Sequence, residues 1–195
     1  MTRGRPLEFN PQEALDAAVE VFWTKGYEAT SMDDLLSAMA LSKSSLYQAF
    51  GGKRQLFKRC LARYHERVST DLWAWLQRAP TGRRFITEVF EAVTATAEKR
   101  EGAKGCLLAN SANEFGQRDT GFSQPVARGL EGLGRVFKEA LRRAQAEGDV
   151  SSQTDVNVLA TYLVGAMAGL RTLIKVGLKK GKARSLVSVI LLAVR

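Results

Sequence analysis

Residues 30–57, TSMDDLLSAMALSKSSLYQAFGGKRQLF, constrain the fold of this chain more than any other segment. Ser31 and Asp34 have the spacing of a helix-capping box, although Glu or Gln is the usual second residue. Ser42 offers a second N-cap eleven residues after Ser31. The segment therefore predicts two short helices joined by a tight turn, with a third helix opening on a lysine.

The second of these helices has a polar outer face. At ~100° per residue, Ser44 and Gln48 point outward when Leu46 and Phe50 face the core. The flanking side chains are Lys43, Ser45 and Tyr47. Hydroxyls and lysine suit DNA phosphates, and glutamine suits adenine edges, which favours a helix-turn-helix lying in the major groove. The same pattern fits the solvated face of an ordinary helical bundle, and periodicity alone does not separate the two interpretations.

The wider string closely resembles the DNA-binding domain of TetR-family transcriptional regulators. The matching positions are Lys25, Gly26, Tyr27, Ala29, Thr30, Asp34, Leu35, Ser42, Lys43, Leu46, Tyr47, Phe50 and Lys53. Two positions depart from the family pattern: Ala40 replaces the usual turn glycine, and Gly52 replaces the Ser, Asp or Asn before Lys53. A positive φ at Ala40 would cost about 1 kcal/mol, whereas Gly52 is still an acceptable N-cap.

The resemblance implies an all-α fold of about nine helices. Residues 1–55 would form a three-helix helix-turn-helix domain, with its motif at about 31–50, and residues 56–195 a ligand-binding and dimerisation domain. The implied protein is a DNA-binding transcriptional regulator, most often a repressor, that binds a palindromic operator as a homodimer and is released by a small-molecule effector.

The predicted DNA contacts extend beyond the outer face of the second motif helix. Arg3 and Arg5 form a basic arm that could enter the minor groove or contact phosphates, or could equally be a solvated terminus. Lys53 opens a helix, where backbone N–H groups already favour a phosphate. The full predicted set is Arg3, Arg5, Thr30, Ser31, Ser42, Lys43, Ser44, Ser45, Tyr47, Gln48 and Lys53.

A Gly-Cys-Leu sequence at Cys106 resembles a branch of the same family in which a cysteine can respond to electrophiles or oxidants. A helix amino end and Lys104 would favour a thiolate, which gives an alternative function as a thiol-based redox or electrophile sensor; the other interpretation is a small buried residue. Asn110 and Asn113 share a predicted face with Cys106 and could line a pocket or cap nearby backbone. The predicted ligand pocket is Tyr64, Phe90, Cys106, Asn110, Asn113, Phe137, Leu141 and Met167.

The two carboxy-terminal helices are more apolar than one small domain requires, which predicts an interface. In the family these helices pair with their counterparts in a four-helix dimer contact, and a two-fold dimer suits a palindromic site. The predicted interface is Leu159, Tyr162, Leu163, Ala166, Gly169, Leu170, Leu173, Val187, Ile190, Leu191 and Val194.

The composition favours a nucleic-acid partner and argues against an enzyme. Net charge is +9, and the single histidine, His65, allows no imidazole-based catalytic or metal cluster. We expect no catalytic residues, metal or cofactor. The amino end lacks the features of a signal peptide, and the longest apolar segment is broken by Arg171 and Lys175, so we expect a cytoplasmic protein without a membrane span.

Overall fold

A computed structural model describes residues 9–195, so the arm that carries Arg3 and Arg5 lies outside the described residues. This part of the chain is all α-helical, as predicted, and contains nine α-helices and two 3-10 helices. The α-helices are α1 (Pro11–Lys25), α2 (Met32–Met39), α3 (Lys43–Phe50), α4 (Lys53–Arg78), α5 (Gly82–Ala95), α6 (Leu107–Phe115), α7 (Thr120–Ala146), α8 (Val156–Lys175) and α9 (Lys180–Ile190). The 3-10 helices are Gly102–Lys104 and Leu191–Ala193.

Local signals set the boundaries of the first helices. Asn10 caps α1, and its side chain accepts from the backbone N–H groups of Gln12 and Glu13. Gly26 ends α1 with a φ of 82°, a conformation that glycine adopts at little cost. Ser31 and Asp34 form both hydrogen bonds of a capping box at α2, so the predicted helix start is confirmed.

Helix boundaries after α4 differ from the sequence pattern by several residues. The apolar pattern predicts that α5 runs to about Arg100 and that α9 begins at Ala183, whereas α5 ends at Ala95 and α9 begins at Lys180. The pattern also predicts that α7 begins at Ser123 or Pro125, but α7 begins at Thr120 because Asp119 caps it by accepting from Gly121 N–H. Pro125 lies inside the first turns of α7 and donates no backbone hydrogen bond there.

Two hydrophobic cores lie along the chain, and the second of them includes residues on both sides of the predicted boundary at residue 55. One joins α5, α7, α8, α9 and the end of α4. The other joins α1, α2, α3 and the first half of α4 to α6 and the beginning of α7. α6 and the start of α7 therefore pack with the amino-terminal helices. We call α1, α2, α3 and the first half of α4 the head, and the rest of the described helices the body.

By length and composition alone, α8 is long and apolar enough to cross a membrane. Its buried residues pack in the body core, against α7 among other helices. The apolar character of α8 is thus partly explained by packing within the chain, and its outer side is described below.

Candidate DNA-binding surface and its connections to the body

The outer face of α3 is open to solvent. Leu46 and Phe50 are buried beneath it, while Lys43, Ser44 and Gln48 are exposed and Tyr47 keeps 50% of its surface accessible. Ser45 is partly exposed. The predicted rim of Ser44, Ser45, Tyr47 and Gln48 therefore projects away from the chain, as groove binding requires.

Hydroxyl groups also hold the start of α3 together. Ser42 Oγ accepts from Ser45 N–H at 3.1 Å and lies 2.9 Å and 2.8 Å from the Oγ atoms of Ser44 and Ser45. Ser31 caps α2 in the same way, because its Oγ accepts from Asp34 N–H. Both serine caps are exposed, so each stabilises a helix end while remaining within reach of a phosphate.

Lys53 is the first residue of α4. Its Nζ lies 4.4 Å from the centroid of the Tyr27 ring, a cation–π contact that fixes the ammonium near the helix amino end. Gly52, which departs from the family pattern, has a φ of 99°, and a methyl group there would lie 3.1 Å from Tyr47 Cε1. Glycine at this position thus permits both the backbone conformation and the placement of Tyr47.

Thr30 is wrongly assigned as a DNA contact. Its side chain is only 1% exposed, and its hydroxyl donates to the carbonyl of Gly26 at 2.5 Å. The hydroxyl is used within the loop between α1 and α2, because a buried polar group needs a partner. Thr30 supports the motif from inside.

The turn between α2 and α3 contains the strained position expected from the sequence. Ala40 has a φ of 52° and ψ of 43°, the left-handed conformation for which glycine is preferred. At the other end of α2 an ion pair joins this helix to the end of α1, with Lys25 Nζ 2.6 Å from Asp34 Oδ1. The hydrogen bond from Lys25, with those from Ser31, lowers the pKa of Asp34 to about 2.

The head is tied to α6 and α7 by two carboxylates that sequence reasoning missed. Glu114, at the end of α6, accepts from the backbone N–H groups of Tyr27 and Glu28 at 3.1 Å and 2.8 Å. Asp119, just before α7, forms a bidentate pair with Arg54 of α4, with both N–O distances at 2.7 Å. No local sequence pattern predicts these contacts, because the partners lie 65 to 87 residues apart in the sequence.

A second connection runs through the carbonyl of Gly105, next to Cys106. Trp23 Nε1 of α1 donates to this oxygen at 3.3 Å, and an Arg171 guanidinium nitrogen of α8 donates to it at 3.5 Å. Lys104 forms an ion pair with Glu20 of α1. One short segment therefore contacts the first helix of the head and a long helix of the body.

Cys106 is 8% exposed and lines a cavity of about 20 Å³ between α7 and α8. Of the predicted pocket residues, Phe137 and Met167 also line this cavity. Tyr64 is buried beside it, with its Oη 3.8 Å from Cys106 Sγ, and burial raises the pKa of the Tyr64 phenol. A cavity of this volume holds about one water molecule and is far below the 300–1,000 Å³ of small-molecule sites.

The remaining pocket predictions need correction. Asn113 is exposed. The prediction counted helical turns from Cys106, but Cys106 has extended backbone and precedes α6, so Asn113 does not share a helical face with it. The Asn110 side chain donates to the Lys104 carbonyl at 2.8 Å, so it caps backbone, the alternative left open by the sequence. Phe90 and Leu141 are fully buried in the body core and do not line the cavity.

The predicted dimer interface is also partly wrong. Six of its residues are buried in the core of the single chain and have little surface for a partner: Leu159, Leu163, Leu170, Val187, Ile190 and Val194. Ala166 and Leu191 are partly exposed, and Tyr162, Gly169 and Leu173 are exposed. The sequence pattern identified the most apolar stripe of each helix, and that stripe packs inward.

The exposed side of α8 is nonetheless uncharged and largely apolar. Val158 and Val176 are 66% and 77% exposed, and Tyr162 and Leu173 lie between them at helical spacing. Along the same helix, a methyl group at Gly165 or Gly169 would meet no atom within 4 Å. On the neighbouring α9 segment, Val189 and Leu192 are 59% and 51% exposed. We call these exposed residues the α8–α9 face: Val158, Tyr162, Gly165, Gly169, Leu173, Val176, Val189 and Leu192.

An exposed polar helix on a capped helix-turn-helix, attached to a separate helical body, defines a DNA-binding transcriptional regulator. Comparisons with known proteins agree. Residues 14–60 match the family described as bacterial regulatory proteins, tetR family, and residues 82–187 match the tetracyclin repressor-like C-terminal domain. The chain belongs to the TetR family, whose members are transcription factors rather than enzymes.

Similar proteins extend over most of the chain. The uncharacterized HTH-type transcriptional regulator YezE of Bacillus subtilis (strain 168) is 32% identical over 174 residues, covering 89% of this chain and 90% of YezE. The HTH-type transcriptional repressor ComR of Escherichia coli (strain K12) is 28% identical over 170 residues, covering 87% and 81%. A cysteine mutant of the TetR family regulator CifR, complexed with 26 bp double-strand operator DNA, is 31% identical with a TM-score of 0.85, covering 97% of this chain and 99% of that chain.

Proposed function

We propose that this regulator is a homodimeric repressor that binds a palindromic operator through α3 and is released by a small-molecule effector. The observation that carries the proposal is the solvent-exposed face of α3, whose side chains form no part of the core. In this role Gln48 and Tyr47 read base edges, while Lys43, Lys53 and the exposed serines contact phosphates. The similar repressor ComR and the operator-bound CifR structure support this assignment.

The α8–α9 face supports the homodimer. A partner helix can approach closely at Gly165 and Gly169, where no side chain of the same chain intervenes. A two-fold axis there would present two copies of α3 to half-sites about 34–36 Å apart on the duplex. The uncharged composition of the face is typical of the centre of an interface.

Effector release follows from the contacts between head and body. Because the cavity beside Cys106 has a volume of only about 20 Å³, an effector that binds there must separate α7 from α8. Arg171 lines that cavity and also donates a hydrogen bond to the Gly105 carbonyl. Trp23 of the head donates to the same carbonyl oxygen. A displaced Arg171 therefore disturbs a contact of α1, and the two α3 helices would no longer match successive major grooves.

The test begins with selection of bound DNA sequences by the wild-type protein. Gln48→Ala should relax base preference with a modest loss of affinity, because it removes an amide that reads a base edge. Lys43→Ala and Lys53→Ala should each weaken binding to all sequences and reduce the salt slope by about 1. The matched control is Lys182→Ala, which removes an exposed charge from α9 and should change neither the base preference nor the salt slope. Unchanged sequence preference in Gln48→Ala would exclude base reading by this residue.

A thiol sensor is the second candidate, favoured by the position of Cys106 next to the shared Gly105 carbonyl. Addition of the Cys106 thiol to a quinone forms one C–S bond and transfers the thiol proton to the quinone, so no further oxidant is needed. Cys60 is the natural control, since it is fully buried and burial raises the pKa of its thiol. Quinone treatment should abolish operator binding by wild type and Cys60→Ser but spare Cys106→Ser. An equal response in Cys106→Ser would end this candidate.

A further inference from the structure

A groove of about 340 Å³ lies between α4 and α7, apart from the cavity beside Cys106. Its volume falls within the range of small-molecule sites. Leu61, which is buried, and Pro125 give it an apolar part. The complete lining is Lys58, Leu61, Ala62, His65, Gly121, Gln124, Pro125, Arg128 and Gly129.

The charged side chains that line this groove are positive: Lys58 comes from α4 and Arg128 from α7. The imidazole of His65, also on α4, lies in the same lining, and no carboxylate among the described residues lines the groove. Asp119, the acid close enough to feel Lys58, is already held by both guanidinium nitrogens of Arg54. Within residues 9–195, Lys58 and Arg128 make no ion pair. The groove thus gathers positive charge that the chain itself does not neutralise.

Glycines in α7 create the room for these groups. A methyl group at Gly132 would overlap His65, at 1.9 Å from Nε2, so only glycine admits the imidazole. A methyl group at Gly121 would lie 3.4 Å from Lys58 Nζ. His65 Nε2 lies 3.0 Å from Ser69 Oγ, which leaves Nδ1 without a hydrogen-bond partner among residues 9–195.

We propose that this groove binds a small organic anion, such as a carboxylate with a short apolar body. The carboxylate would lie among Lys58, His65 and Arg128, and the apolar body would contact Leu61 and Pro125. Such a ligand joins α4, which opens on Lys53 at the DNA surface, to α7 of the body. The idea that this ligand is the effector rests on the proposed function. Binding of the ligand in the groove does not depend on that function.

His65 offers a direct readout because it is the only histidine in the chain. Burial, followed by the charge of Arg135, lowers the pKa of His65, while Glu66 acts in the opposite direction. Two further cations, Lys58 and Arg128, line the same groove as His65. The Oγ atom of Ser69 is the hydrogen-bond partner of His65 Nε2. A bound carboxylate favours the imidazolium, so the pKa measured from the imidazole NMR resonance should rise by about 0.5 or more.

The probe is benzoate, with benzamide as its neutral counterpart. Benzoate should raise the His65 pKa saturably in wild type and in Arg67→Gln, which removes a charge from α4 outside the groove. The rise should be absent with benzamide and in the Lys58→Gln/Arg128→Gln variant. No saturable rise with benzoate, an equal rise with benzamide, or a rise that survives the double substitution would each overturn the proposal. Operator binding is measured on the same samples without benzoate, so its failure would count against the proposed function alone.

Discussion

Replacing Gly165 and Gly169 by alanine should stabilise the monomer and weaken the dimer. Both glycines lie inside α8, on the α8–α9 face, and neither position has an atom within 4 Å of an added methyl group. The single chain therefore has room for both methyl groups. A dimer in which a partner helix packs against these positions would have no room for the methyl groups.

The two effects have opposite signs, and the effect on the dimer is the larger. Alanine is favoured over glycine in a helix interior by about 0.8–1.0 kcal/mol, so the double variant should gain about 1.5–2 kcal/mol in the unfolding free energy of the monomer. In a two-fold dimer each substitution occurs twice. Overpacking typically costs about 1–3 kcal/mol per site, which is enough to weaken the dimer by tenfold or more.

Sedimentation equilibrium measures the dimer Kd, and urea unfolding at low protein concentration measures monomer stability. Gly134→Ala is the matched control: it lies inside α7, and its methyl group would make an ordinary contact of 3.8 Å with Val164 Cγ2. This control should raise stability without changing the dimer Kd. If the double variant dimerised as tightly as wild type, partner helices would not approach closely at Gly165 and Gly169, and the α8–α9 face would lose its assigned role.

Three further predictions concern folding. Gly82→Ala should destabilise the protein by about 2 kcal/mol or more in urea unfolding, because the methyl group would lie 2.1 Å from the Ala140 carbonyl oxygen; wild-type stability would contradict this packing. Ala40→Gly should raise stability by about 1 kcal/mol, seen as a higher Tm, since it relieves the positive φ; a lower Tm would argue against strain there. Asp34→Asn should lower Tm most near neutral pH. The hydrogen bond from Lys25 lowers the pKa of Asp34 from 3.8 to about 2, so the stabilisation is present above 3.8 and is lost as pH falls towards 2; a Tm difference independent of pH would refute this.

The amino-terminal helices could be predicted well because their signals are local. Asn10, Ser31 and Ser42 each cap a helix within three residues, and Gly26 ends one through its own backbone conformation. The outward direction of Gln48 followed from two apolar residues on the same short helix. Such features depend on neighbours in sequence and need no knowledge of the tertiary fold.

The interface and pocket depended on helix packing and were predicted less well. Leu163 and Leu170 form the most apolar side of α8, yet the body core occupies that side. The exposed side, which includes Val158 and Val176, is less regular in sequence because valines, glycines and threonines share it. Likewise, Asn113 fell outside the pocket because Cys106 precedes α6 rather than lying within it.

An aromatic cluster connects α6 and α7 to Tyr27, which contacts Lys53 at the start of α4. Tyr27 of the head packs with Phe57 of α4 at 5.0 Å between ring centroids, and with Phe115 and Phe122 of α6 and α7 at 5.5 Å and 4.9 Å. Tightly packed rings transmit displacement rather than absorb it, because interiors are close-packed. Lys53 stacks on the same Tyr27 ring, so a shift of α6 that moves Tyr27 also moves the predicted phosphate contact. In the proposed release, this cluster together with Glu114 is the set of contacts through which a shift of α6 would reach the head.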